Sequence, residues 1–287
     1  MSDGMDPRSV GPRIRMMRPN LTPLEARVVD SVFERRDFSA ETALKDVAEA
    51  AGVSEAMVVK IAKKLGFSGY RDFRQNVADY VRLSVAEMHD DLSPDDSGAE
   101  IVGKVFRASI QALEETLAIA DVAAFERAAD FIAQGRQRDF YGIGGSAQIA
   151  RDVAHKFLRI GIRASVYDDA HMMAMSASLL GTRDVAVGFS HTGATLVTLE
   201  ALQIARRRGA RTIAITNYPH SALAEVADVV LCSTARGSPL LGENAAARIA
   251  QLSLLDAIFV LVAQRDIKAA EANLALTQDA VRAKRRG

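Results

Sequence analysis

The chain has no tryptophan and a single cysteine among 287 residues, and only 6% of it is aromatic. Cys232 therefore has no partner for an internal disulfide. Neither it nor the five histidines has the spacing of a metal site, so no metal and no oxidative folding are expected. Net charge is also lacking: 36 basic side chains balance 36 acidic ones, which excludes a globally basic coat protein and confines any nucleic-acid contact to a local patch. Residues 1–20 lack the apolar core of a signal peptide, being interrupted by Asp3, Asp6, Arg8, Arg13, Arg15 and Arg18. The most apolar run, 252–263, holds Asp256 and falls short of the about 20 residues that cross a bilayer, so it reads as a core helix. A cytoplasmic protein is expected.

What is present suits a globular chain: 49% hydrophobic and 25% charged residues, with a length that favours two domains at roughly 150 residues each. Charge divides the chain. Arg8, Arg13, Arg15 and Arg18 stand without an acid among them, whereas Glu87, Asp90, Asp91, Asp95, Asp96 and Glu100 stand without a base. Turn formers at Ser93, Pro94, Ser97 and Gly98 mark the second stretch as a linker. The expected organisation is a basic arm (1–20), an all-α domain (21–83), an acidic linker and connecting helix (84–120), an α/β domain (121–265), and a C-terminal helix with a basic tail (266–287).

In the all-α part, Thr22 caps a helix that begins at Pro23, a second helix around 44–50 stops at Gly52, and a third opens at Ser54 and ends at Gly66. Val47, Ala48, Ala51, Val53, Val58 and Ile61 fall where a helix-turn-helix buries its side chains, and Gly52 permits its turn. The opposite face of the third helix carries Ser54, Met57, Lys60, Lys63 and Lys64, followed by Arg71 and Arg74 on the next helix. A lysine cluster alone is most simply a solvated face. Set on a helix-turn-helix frame it points to double-stranded DNA, with Ser54 and Lys60 at base edges and Lys63, Lys64, Arg71 and Arg74 on phosphates.

The C-terminal part alternates apolar strands (139–144, 164–167, 185–189, 212–216, 229–232) with amphipathic helices, which predicts a five-stranded parallel sheet with helices on both faces and a ligand at the strands' carboxyl ends. Two strand-to-helix loops there are rich in glycine and hydroxyls: Gly142-Ile143-Gly144-Gly145-Ser146 and Ser190-His191-Thr192-Gly193-Ala194-Thr195. Glycines admit an anion to the backbone, and the helix dipole favours its charge. The first loop, with Asp168 downstream, also satisfies a loose dinucleotide fingerprint. The second hydroxyl-rich loop favours a small phosphorylated ligand instead.

The motifs, in order, resemble the RpiR family of bacterial transcriptional regulators, a helix-turn-helix joined to a SIS (sugar isomerase) domain. They are Val53-Ser54-Glu55-Ala56, Lys64-Leu65-Gly66-Phe67-Ser68-Gly69-Tyr70, Tyr141-Gly142-Ile143-Gly144-Gly145-Ser146, the stretch from Ala154 to Gly161, the stretch from Ile213 to Pro219, and Ala247-Arg248-Ile249-Ala250-Gln251-Leu252. The resemblance implies that Ser146 and Ser190 hold a sugar's phosphate, with His191, Thr192, Gly193 and Thr195 in the same loop and Gly144 and Gly145 beside Ser146. Thr192 and Ala194 stand where the family commonly has serine and arginine, and Met57 and Lys60 where it commonly has threonine and arginine.

The expectation is a non-enzymatic regulator, a repressor of sugar-metabolism genes, that binds palindromic operator DNA as a homodimer or homotetramer, responds to a sugar phosphate and needs no cofactor. The rival is a sugar-phosphate isomerase with an accessory helical domain. It needs a base, for which Glu243 is the best candidate, although a carboxylate at a helix N-terminus is as readily explained by the dipole. We therefore place Glu243 as a ligand contact. His171 and His191 are alternative proton carriers, and a nucleotide-binding regulator is the third reading.

Overall fold

Five strands, β1 (Arg138–Tyr141), β2 (Ser165–Tyr167), β3 (Val185–Phe189), β4 (Arg211–Thr216) and β5 (Val229–Cys232), form one parallel sheet in the order β2-β1-β3-β4-β5. The computed structural model describes residues 6–33, 35, 37–84, 92–235, 244–282 and 284. The chain divides into two compact units, residues 1–119 with 234–243, and residues 120–233 with 244–287.

The first unit is all helix among its described residues: α1 (Pro7–Met17), a 3₁₀ turn (Arg18–Asn20), α2 (Pro23–Phe33), α3 (Leu44–Ala51), α4 (Glu55–Lys64), α5 (Tyr70–Ser84) and α6 (Gly98–Ala118). Val28, Val29, Val32, Val47, Ala48, Ala51, Val58 and Ile61 are buried in its core, as the helical spacing requires. Gly52 turns the chain between α3 and α4 with φ +66°, a left-handed conformation that glycine adopts without a Cβ clash. Ser54 caps α4, its hydroxyl accepting from the Met57 amide at 3.3 Å. Thr22 and Glu25 form a reciprocal pair at the start of α2: the Glu25 amide donates to the Thr22 hydroxyl (3.4 Å) and the Thr22 amide to the Glu25 carboxylate (2.8 Å).

Part of the basic arm expected at 1–20 is helical. Residues 7–17 are a helix whose Val10 and Ile14 join the core. A Cβ at Gly11 would lie 2.2 Å from the Tyr80 ring, so α1 and α5 pack backbone against side chain. Counting arginines disguised the two apolar residues that hold this helix down. The connecting helix α6 likewise belongs to the first unit, with Ala112, Glu115 and Thr116 buried.

The second unit places α7 (Val122–Gln134), α8 (Gly145–Arg159), α12 (Asn244–Arg265) and α13 (Ile267–Arg282) with one core cluster, and α9 (Ala170–Leu179), α10 (Leu196–Arg207) and α11 (Ala222–Glu225) with the other. Alternate strand residues serve the two faces: Phe140, Val187 and Ile213 go to the first, Tyr141, Ala186 and Ala214 to the second. Helix α12 is longer than the apolar run suggested. Residues Ala246–Arg265 are long and apolar enough to span a bilayer, with a mean hydropathy of 1.8. Leu254, Leu255, Ile258 and Val262 are nevertheless buried against the sheet, as in a core helix. Of the basic tail, Arg285 and Arg286 lie outside the described residues.

Candidate functional site

The strand order reverses beside β1: the chain goes from β1 to β2 on one side and returns to β3 on the other. Such a switch point opens a crevice at the carboxyl ends of the two strands that flank it. Tyr141 at the end of β1 pairs with Gly188 of β3, so the loops 142–146 and 190–195 leave adjacent strands. Gly142 threads between them. A Cβ there would lie 3.1 Å from the backbone of Ser146 and 3.3 Å from the Cβ of Phe189.

Gly144 has φ +58° and ψ −123°, the first central position of a type II′ turn closed by the Ser146 amide donating to the Ile143 carbonyl at 3.2 Å. The turn exposes Gly144 and Gly145 and leaves Ser146 half-buried in the first turn of α8. In the second loop Gly193 has φ +65°, and a Cβ on it would sit 2.0 Å from the Ser221 hydroxyl oxygen, so no other residue fits. Ser190 is buried at 2% exposure. Its hydroxyl shares a 2.8 Å hydrogen bond with that of Thr195, which stands half-buried at the head of α10. Ser190 therefore backs Thr195, and the hydroxyls open to an incoming anion are those of Ser146, Thr192 and Thr195.

Other helices of this unit begin under a side-chain cap: Asp121 at α7, Asp169 at α9 and Ser221 at α11 each accept from first-turn amides. Helices α8 and α10, which start from the two glycine loops, have no side-chain cap. Apart from the Ser146 amide, which closes the turn, their first-turn N–H groups face no capping side chain, and the positive end of each helix dipole lies behind them. Asn217, at the end of β4, supports the second loop in a way the sequence did not suggest. Its amide donates to the His191 carbonyl (3.0 Å), and its side-chain oxygen accepts from Ser233 (2.8 Å) and Gln251 (3.3 Å). The run Ile213 to Pro219 contained the signal, but only the fold shows that its asparagine reaches back.

His191 packs edge-on to Tyr218, with ring centroids 6.3 Å apart. His171 lies exposed on α9, one residue past its first position. Glu243 lies outside the described residues. Asp168, the acid of the dinucleotide fingerprint, pairs with Arg151 on α8. Burial pushes the Cys232 thiol up to about 12, far from a thiolate nucleophile.

On the first unit, Ser54, Lys60, Lys63 and Arg71 are exposed and Met57 is half-buried. Two expected phosphate contacts are engaged elsewhere. The Lys64 ammonium donates to the Glu25 carboxylate at 2.6 Å and to the Asn20 carbonyl at 3.2 Å. That ammonium, with the Thr22 amide, holds the Glu25 carboxyl below the usual carboxylate range. Arg74 stacks over the Tyr70 ring (5.9 Å) and donates to the Thr42 carbonyl at 3.3 Å. Charge spacing in the sequence could not reveal either partner, because Glu25 and Thr42 come from distant segments.

Two family models match the chain: a helix-turn-helix domain of the rpiR family over residues 9–84 and a SIS domain over residues 131–261. The chain is 45% identical over 277 residues to the HTH-type transcriptional regulator RpiR of Escherichia coli K12, covering 96% of this chain and 94% of that protein. Among solved structures, the Vibrio vulnificus NanR protein complexed with ManNAc-6P matches with a TM-score of 0.61 at 24% identity, over 94% of this chain and 98% of that one. The sugar isomerase domain of an RpiR transcription factor from Sphaerobacter thermophilus matches with a TM-score of 0.57 at 26% identity, over 63% of this chain and 99% of that one.

Proposed function

The chain belongs to the RpiR family of helix-turn-helix transcriptional regulators with a SIS domain, and from that premise we propose that it represses sugar-metabolism genes under control of a phosphorylated sugar. The observation that carries the effector's chemistry is the pair of uncapped helix N-termini at the switch point of the sheet, each fed by a glycine loop and lined with hydroxyls. An anion of phosphate size satisfies both sets of amides without a lysine. ManNAc-6P is the ligand of the V. vulnificus protein; for this chain the class of ligand rests on its own loops.

Lys60, Lys63 and Arg71 supply the DNA contacts in this reading, with Ser54 and Met57 toward the bases and Lys64 and Arg74 bracing α4 and α5 from behind. Assembly as a homo-oligomer is supported by α6, where Val102, Phe106, Ile110 and Leu117 are 59%, 67%, 52% and 77% exposed at four- and seven-residue spacings. Two recognition helices brought together by such a face would read a palindrome.

Lys60→Ala combined with Lys63→Ala tests the DNA face. The double variant should bind operator about tenfold more weakly or worse, and its log–log salt slope should fall by up to about 2. Its affinity for the sugar phosphate should not change. Operator affinity equal to the parent's would refute the assignment of this face.

A further inference from the structure

We propose that the amino-terminal edge of the second unit's sheet is a second, sequence-independent contact for the DNA backbone, an inference that rests on the reading of this chain as a DNA-binding regulator. The five strands are parallel, so every turn that enters a strand lies on one edge, opposite the glycine loops. Arginines enter four of them. Arg163 precedes β2, Arg136 precedes β1, Arg183 precedes β3, and Arg207 with Arg208 ends α10 ahead of β4.

In the order of the sheet these residues form a row. Parallel strands lie about 4.8 Å apart, so a row across four of them runs about 14 Å. One strand of a duplex presents a phosphate about every 3.4 Å along the axis, so such a row faces about four. The turns touch one another: the Arg136 amide donates to the Arg183 carbonyl at 2.8 Å, and a Cβ on Gly209 would lie 3.0 Å from Thr182.

Two carboxylates at these turns, Asp184 and Asp228, are occupied, while Glu225 at the end of α11 is exposed. Asp184 is gripped by Arg136 at 3.0 and 3.1 Å and by the amides of Gly181 and Gln137. Asp228 accepts from the amide and hydroxyl of Thr212 at 2.8 and 3.0 Å. Arg163, Arg183, Arg207 and Arg208 are exposed and have no side-chain hydrogen bond or ion pair among the described residues.

The dipole at the end of α10 accounts for one basic residue there, not for a row that continues across three other strands. Guanidinium groups bind phosphate oxygens in pairs and carry no base code when they do. The surface therefore adds affinity without altering which sequence is read.

The test is binding of the full chain to a random duplex of about 40 base pairs across a salt series, for the parent, for Arg183→Ala/Arg207→Ala/Arg208→Ala, and for the same triple replaced by lysine. The alanine triple should lose about tenfold or more in affinity at low salt, and its log–log slope should fall by about 2 to 3. The lysine triple should keep most of both, which separates lost charge from a damaged fold. An alanine triple with the parent's slope and affinity overturns the proposal. So does a variant that binds DNA normally yet fails to repress in vitro, since that outcome assigns the arginines to an acidic protein partner. The operator reading fails by a different sign: equal affinity for random and upstream DNA, whatever the triple does.

Discussion

Replacing Ser146 and Ser190 together by alanine is expected to weaken sugar-phosphate binding by about one to two orders of magnitude while operator affinity stays within about twofold. A hydrogen bond to a charged group contributes about 1.5–3 kcal/mol, with tenfold in affinity for each 1.4 kcal/mol, so the direct loss is that of the Ser146 hydroxyl, about one to two orders of magnitude. The two serines act differently. Ser146 offers its hydroxyl at the open head of α8, whereas buried Ser190 acts against Thr195 through their shared 2.8 Å hydrogen bond. A hydroxyl has one donor hydrogen and two acceptor sites, so Ser190 can fix which way Thr195 donates. Ser190→Ala and Thr195→Val should consequently be non-additive, while Ser146→Ala adds to either. Isothermal titration of the single and paired variants with the sugar phosphate that elicits the response measures these terms. Wild-type affinity in the double variant would remove the ligand from these loops.

Glu115→Ala should cause the largest loss of stability, about 3 kcal/mol in the first unit. The Glu115 side chain, 4% exposed, pairs with Arg15 of α1 and accepts from the Tyr80 hydroxyl of α5 (2.9 Å) and from Gln111 on its own helix (2.8 Å). Three helices thus meet on one carboxylate. Its removal leaves the Arg15 guanidinium, only 27% exposed, without its counter-charge and takes an acceptor from Tyr80. Breaking a buried pair costs about 3–5 kcal/mol, and the partial exposure of Arg15 places this one at the lower end. Scanning calorimetry should show a transition lowered by on the order of 10 °C for a unit of this size. Glu115→Gln, which keeps an acceptor, should lose less than half as much. A shift under about 2 °C for the alanine variant would show that the cluster contributes little.

The sheet was legible because parallel strands buried on both faces read as short apolar runs: Val185–Phe189 and Val229–Cys232 begin and end where their sequence says they do. The two glycine loops were legible for the same kind of reason, since local chemistry alone demands glycine at positive φ before a helix. Long-range pairing was not. Nothing near Lys64 in the chain announces Glu25, nothing near Arg74 announces Thr42, and Ser190 looked as open as Ser146 until Thr195 was placed over it. Charge composition actively misled at residues 7–17, where Arg8, Arg13 and Arg15 stand among the residues that bury Val10 and Ile14. Arg15 itself joins the buried cluster around Glu115.

The central claim, that a phosphorylated sugar in the second unit controls DNA binding by the first, is tested most directly by one titration. Labelled DNA from immediately upstream of the gene encoding this chain is titrated with protein, and fluorescence anisotropy is read with and without a panel of sugars in phosphorylated and unphosphorylated form. Coupling between two sites amounts typically to about 1–3 kcal/mol, so one phosphosugar should move the binding midpoint by about five- to 150-fold, and its unphosphorylated counterpart should not. Tight, specific binding that no member of the panel shifts would contradict the account.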